Sequence, residues 1–128
     1  MLPQHAVESP AGTFIVSHEI TQLKQRQCRV NEVNTGGQVL RQFSGSRLLP
    51  LSDTPHIAVD SQGNIFVADY LNRRILLLNS ELTLRRVIMD EHQLNYKEPW
   101  RLCYTEQSGQ LLVGFGDGDV AVFDVLRR

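Results

Sequence analysis

One short pattern occurs three times in this chain of 128 residues, and a repeat constrains a fold more tightly than composition can. Its clearest copy runs from Pro55 to Asp69 as PHIAVDSQGNIFVAD. It reads as a short strand, a tight turn at Ser61-Gln62-Gly63-Asn64 and a second strand, with Gly63 at a turn position that requires positive φ. A second copy spans Pro3 to Val16. There Ala6-Val7-Glu8-Ser9 is set against Ala58-Val59-Asp60-Ser61, the turn is one residue longer, and His5 falls opposite Ile57. The third copy comprises Pro99 to Cys103, a turn from Thr105 to Gln110, and Leu111 to Gly114. The turn glycines Gly12, Gly63 and Gly109 stand 51 and 46 residues apart.

Each copy continues into further strand-like runs: Cys28–Val33 and Val39–Phe43, then Ile75–Leu78 and Leu84–Ile88, then Val120–Phe123. No run has the i, i+3, i+4 apolar spacing of a helix. Units of about 40–50 residues built from four short strands are the signature of propeller blades. The expected fold is therefore all-β, a partial β-propeller with blades over about 3–46, 55–90 and 99–128, the last lacking its fourth strand. Alternation predicts that Ile57, Val59, Ile65, Val67, Ile75, Leu77, Leu112 and Val122 are buried. Closed rings use about four to eight blades, so three need completion, by a homodimer forming six blades or by missing sequence.

The middle copy, PHIAVDSQGNIFVADYLNRRILLLN, resembles an NHL repeat. The matching positions are Pro55, Asp60, Gly63, Val67, Ala68, Asp69, Asn72, Arg74 and Ile75. The flanking copies depart from it. Ser17-His18 stands in place of Asp69-Tyr70, with a longer loop through Gln27, and the third copy has Gly116-Asp117-Gly118 and no Asn-x-Arg. The resemblance implies a piece of a propeller such as those ending tripartite-motif ubiquitin ligases, which bind protein or RNA on one face. A related propeller is a metal-dependent lyase.

Thirteen basic and 14 acidic side chains leave a net charge of -1, which supplies no global attraction to nucleic acid or an anionic membrane. No apolar run approaches the ~20 residues of a membrane span, and MLPQHAVESP lacks the features of a signal peptide. A cytoplasmic protein is expected, with Cys28 and Cys103 as small buried thiols.

Asp69, Asn72 and Arg74 fit a structural tie across the loop between second and third strands, because carboxylate and guanidinium pair bidentately. His5, His18, His56 and His92 belong to no metal-ligand spacing, and no G-x-S-x-G is present. Ser44-Gly45-Ser46 reads as an exposed loop. No catalytic residue, metal or cofactor is assigned, and a non-enzymatic role is expected, with a lyase- or lactonase-like propeller enzyme as a distant alternative. Binding residues are expected on the loops between blades and between second and third strands, which share a face. His18, Lys24, Arg26, His56, Tyr70, Arg73, Trp100 and Arg101 are placed there. A protein partner is the leading expectation. Single-stranded RNA is the alternative, because cations and rings together suit phosphates and bases.

Overall fold

The computed structural model describes residues 2–22, 25–43 and 55–125. They form three antiparallel sheets. The first contains β1 (Leu2–Glu8), β2 (Phe14–Gln22), β3 (Gln25–Val33) and β4 (Val39–Phe43). The second contains β5 (His56–Val59), β6 (Ile65–Asp69), β7 (Arg74–Leu78) and β8 (Leu84–Met89). The third contains β9 (Pro99–Thr105), β10 (Gln110–Phe115) and β11 (Val120–Asp124). Strands pair in chain order within every sheet, so each sheet is a meander. Among the described residues no helix is long and apolar enough to cross a membrane.

Turn chemistry explains the repeating hairpins. The Asp60 carboxylate accepts the backbone N–H groups of Gln62 and Asn64 on one oxygen, and the Asn64 side chain on the other. Those bonds bend the chain back between β5 and β6. Gly63 then lies at φ 84°, where a Cβ would also come within 3.1 Å of the Ser80 Cβ. Asn34 and Asn79 accept two N–H groups in the same way.

The turn bonds also correct the sequence alignment. Ser9 N–H bonds to Thr13 and Gly12 N–H to Ser9, as Asp60 does with Asn64 and Gly63 with Asp60. Ser9 therefore matches Asp60 rather than Ser61, and the turns of the first two sheets have equal length. The longer turn belongs to the third sheet, where Thr105 pairs with Gln110. Five residues past Gly12, Gly63 and Gly109 stand Ser17, Ala68 and Gly114. Opposite them lie His5, His56 and Arg101. His5 and His56 are thus equivalent, the alignment slip being hidden by a register shift between Pro3 and His5. The expected long loop through Gln27 is instead an extended hairpin, because β2 and β3 stay paired out to Gln22 and Gln25.

Packing makes the middle sheet different from its neighbours. One face buries Ile57, Ile65, Val67, Leu76 and Leu78 against Ile15, Cys28 and Val30 of the first sheet. The other buries Ala58, Phe66, Ala68, Ile75 and Leu77 against Leu102, Leu111, Val113 and Phe115 of the third, with Leu94 from the linker. Every residue of β6 and β7 is consequently buried, which is why Ile65–Ala68 and Ile75–Leu78 read as unbroken apolar runs, with the Asp69–Arg74 pair closing the end of the hairpin. Each large aliphatic side chain buried this way contributes about 1.5–3 kcal/mol.

The third sheet packs with one face, and two core expectations fail there. Leu112 and Val122 are 39% and 53% exposed, because β10 and β11 turn Leu111, Val113, Ala121 and Phe123 toward the middle sheet instead. Val59 is half-buried, while Ile57, Ile65, Val67, Ile75 and Leu77 are buried as expected. Cys103, expected to be buried, is exposed and lies opposite Leu112 on the same open face, whereas Cys28 is buried; the two form no disulfide.

Candidate interaction face

The loop between β6 and β7 is held from beneath. The Arg74 Nε–H donates to Asp69 Oδ2 at 2.6 Å, and the Asn72 side-chain amide donates to the same oxygen at 2.9 Å. Asp69 and Arg74 are cross-strand partners and both are buried. This tie leaves Tyr70 half-buried and Arg73 exposed, with Arg73 in the left-handed region at φ 50°.

Trp100, on β9 of the next sheet, stands beside that loop. Its ring meets Tyr70 edge to face at 6.0 Å between centroids, and about half of it is exposed. The indole also lies over Gly116. A Cβ there would come within 3.0 Å of Trp100 Nε1 and 3.2 Å of Cε2, so the β10–β11 turn needs a residue without a side chain to seat the ring. Sequence reasoning marked Gly116 only as part of a turn. The aromatic nature of Trp100 beside a glycine-rich turn was the available signal, and it needed the fold to be legible. Arg101, next in the chain, is exposed.

Both histidines expected on the loop face are placed elsewhere. His56 is half-buried in the seam between sheets, where its Nδ1 accepts the Leu102 N–H at 3.0 Å and its ring stacks on His5 at 3.9 Å. Burial, then the neighbouring His5 and Arg101, pull its pKa down from 6.5 to about 4. His18 is buried within β2, because the extended hairpin carries the chain past the point where a loop was expected. Its Nε2 accepts the Asn31 side-chain amide at 2.7 Å, and burial lowers its pKa. His18 Nδ1, Asn31 Oδ1 and Ser17 Oγ are buried without a hydrogen-bond partner among the described residues. Lys24 and Ser44-Gly45-Ser46 lie outside the described residues, as does the side chain of Arg26.

The structure therefore brings Tyr70 and Trp100 together, while Arg73, three residues past Tyr70, and Arg101, next to Trp100 in β9, are exposed. Nearby, the linker 90–98 and the third sheet enclose an open recess of about 300 Å³ lined by Leu94, Lys97, Phe115, Asp119, Ala121 and Phe123. Lys97 is 5.6 Å from the Phe115 ring centre and pairs with Asp119 and, at 3.3 Å, with Asp117. The Asp119 hydrogen bond raises the Lys97 pKa. Among the described residues no three His, Cys, Asp or Glu side chains converge as metal ligands would.

No protein-family model matches the chain, and no curated protein does. Solved structures do. A protein of unknown function from Bacteroides caccae is 15% identical with a TM-score of 0.58, over 95% of this chain and 46% of that one. Virginiamycin B lyase from Staphylococcus aureus is 12% identical with a TM-score of 0.58, over 98% of this chain and 42% of that one. The chain spans less than half the length of either structure. At these identities the likeness defines the fold: three antiparallel sheets arranged as in propeller-type proteins, an all-β partial propeller.

Proposed function

We propose that this chain is half of a six-bladed NHL-type ring, a cytoplasmic, non-enzymatic scaffold that binds a protein partner on its loop face. The observation that carries this reading is the Tyr70–Trp100 pair, which bridges two sheets and stays half open over the glycine that seats it. Rigid, partly exposed aromatic rings next to arginine are what protein-binding hot spots are made of. The open apolar face of the third sheet supports completion of the ring, by a second copy or by further sequence. The lyase activity named for the Staphylococcus protein is not carried over, because a likeness at 12% identity extends to the fold alone.

Single-stranded RNA is the second reading, favoured by the same mixture of rings and cations. It is weakened by the net charge of -1 and by the acidic partners that already engage Lys97. The deciding experiment compares the wild-type chain with Trp100→Ala and Arg73→Ala. Binding of a fluorescent oligouridylate is measured by anisotropy at near-physiological salt, and protein partners are identified by quantitative crosslinking in cell extract. A protein captured by wild type and lost in both variants, with no RNA binding, is the expected result. RNA binding that both variants weaken would replace the protein reading. Capture unaffected by either variant would overturn the assignment of this face.

A further inference from the structure

We propose that His56 is an acid-sensitive latch on the seam between the second and third sheets: as a neutral ring it anchors β9, and protonation of its Nδ1 releases that strand and the Trp100 it carries. A backbone N–H can only donate, so the His56 Nδ1 at 3.0 Å from the Leu102 nitrogen is the bare, accepting nitrogen and the ring proton sits on Nε2. The stacked partner is different. His5 Nε2 lies 3.1 Å from the Ile57 carbonyl oxygen, which can only accept, so that nitrogen carries a proton. A proton on the His56 Nδ1 would face the Leu102 N–H donor to donor, and that bond would be lost.

The bond matters because of where it lies. β9 is an edge strand of its sheet, pairing only with β10, and His56 satisfies one of its unpaired edge N–H groups across the seam. Leu102 itself is buried, so the amide has little water to turn to when the latch opens. Two residues earlier in the same strand is Trp100, next to the point where pairing shifts so that Phe115 meets Pro99. The placement of Trp100 against Tyr70 of the middle sheet thus depends on an anchor close by.

Two of the elements packed on His56 oppose a proton there. His5 from β1 stacks on it, and the Arg101 guanidinium from β9 repels a charge there. Its cross-strand neighbour on β6 is the uncharged Ala68, and the carboxylate beyond, Asp69, is engaged by Arg74 and Asn72. From β2, Ser17 is uncharged, and His18 alternates to the opposite face. With the pKa near 4 in the closed seam and 6.5 for a free imidazole, the open state takes the proton first. The latch is therefore fully effective above about pH 6.5. The closed-to-open ratio falls by up to tenfold per pH unit as pH drops toward about 4, less what solvent screening removes at a half-buried ring.

Trp100 is the single tryptophan, so it reports the seam directly. The test follows its emission and acrylamide quenching from pH 7.5 to 4 alongside far-UV circular dichroism, with long-range proton–nitrogen NMR of the histidine rings. The expected result is an unprotonated, accepting Nδ1 on His56 at pH 7.5. Quencher access to Trp100, about half exposed in the closed seam, then rises by up to about twofold on acidification while the strand signal holds. His56→Asn and His56→Gln keep an accepting oxygen that does not titrate in this range, and at least one that folds should abolish the acid step. The proposal is overturned by an acid step that persists in a folded variant, by a protonated Nδ1 at pH 7.5, or by loss of the strand signal together with the tryptophan change.

Discussion

Replacing Arg74 by methionine tests whether the Asp69–Arg74 pair holds the fold or serves a site. Methionine retains most of the aliphatic stem, so packing changes little and the charge is what is lost. The Asp69 side chain has no solvent exposure, and the oxygen facing Arg74 also takes the Asn72 amide. Breaking a buried ion pair by removing one partner costs about 3–5 kcal/mol, because the remaining charge stays desolvated. A domain of this kind has a total stability of roughly 5–15 kcal/mol, so the variant loses a large part of it. With a urea dependence of about 2 kcal/mol per molar, the midpoint should fall by roughly 2 M. Equilibrium urea unfolding followed by Trp100 emission measures this, and the double variant Asp69→Asn with Arg74→Met supplies the control. Removing both charges should recover at least half of the loss. A single-variant cost below about 1 kcal/mol, or a double variant as unstable as the sum of the two single changes, would refute the idea that a desolvated charge carries the effect.

Three further outcomes follow from named contacts. Gly63→Ala should cost about 1–3 kcal/mol in urea unfolding, since it adds positive-φ strain to a 3.1 Å approach to Ser80. Gly116→Ala should leave stability within about 1 kcal/mol but displace the indole, seen as a red-shifted Trp100 emission and stronger quenching. Val122→Asp lies on an exposed strand face, so its unfolding free energy should move by no more than about 0.5 kcal/mol. If a second copy closes the ring through this face, light scattering will show the wild-type dimer replaced by a monomer.

How much of this was legible in the sequence depended on whether a residue's role was set locally. The middle sheet was readable because both of its faces are covered: Ile65–Ala68 and Ile75–Leu78 are apolar throughout, and Asp60 and Gly63 mark their own turn. The first hairpin was misaligned by one residue because serine can serve a turn much as aspartate does. Ser9 Oγ, 2.6 Å from the Thr13 hydroxyl, occupies the place of Asp60 while Ser61 offered a false match. Leu112 and Val122 were misjudged for a different reason. Alternation gives the two faces of a strand but not which one a neighbouring sheet covers, and that is decided by chain segments far away. His18 read as a loop residue because the slipped alignment set it against Tyr70; its equivalent in the structure is Asp69, which ends a strand, whereas β2 runs on to Gln22. The Trp100–Gly116 contact joins β9 to the β10–β11 turn and emerges only once β9 and β10 are paired.

The sandwiched position of the middle sheet also sets the order in which this chain comes apart. In an array where units touch only their neighbours, stability is a sum of unit and interface terms. The middle unit shares in two interfaces, and each flanking unit in one. Amide protons of β6 and β7 should therefore exchange last and together, while β4 and β11, whose residues are largely exposed, exchange through fraying that leaves the centre intact. Unfolding begins at either end and converges on the centre, so the strands that best preserve the repeat's signature are also the last to surrender their hydrogens to solvent.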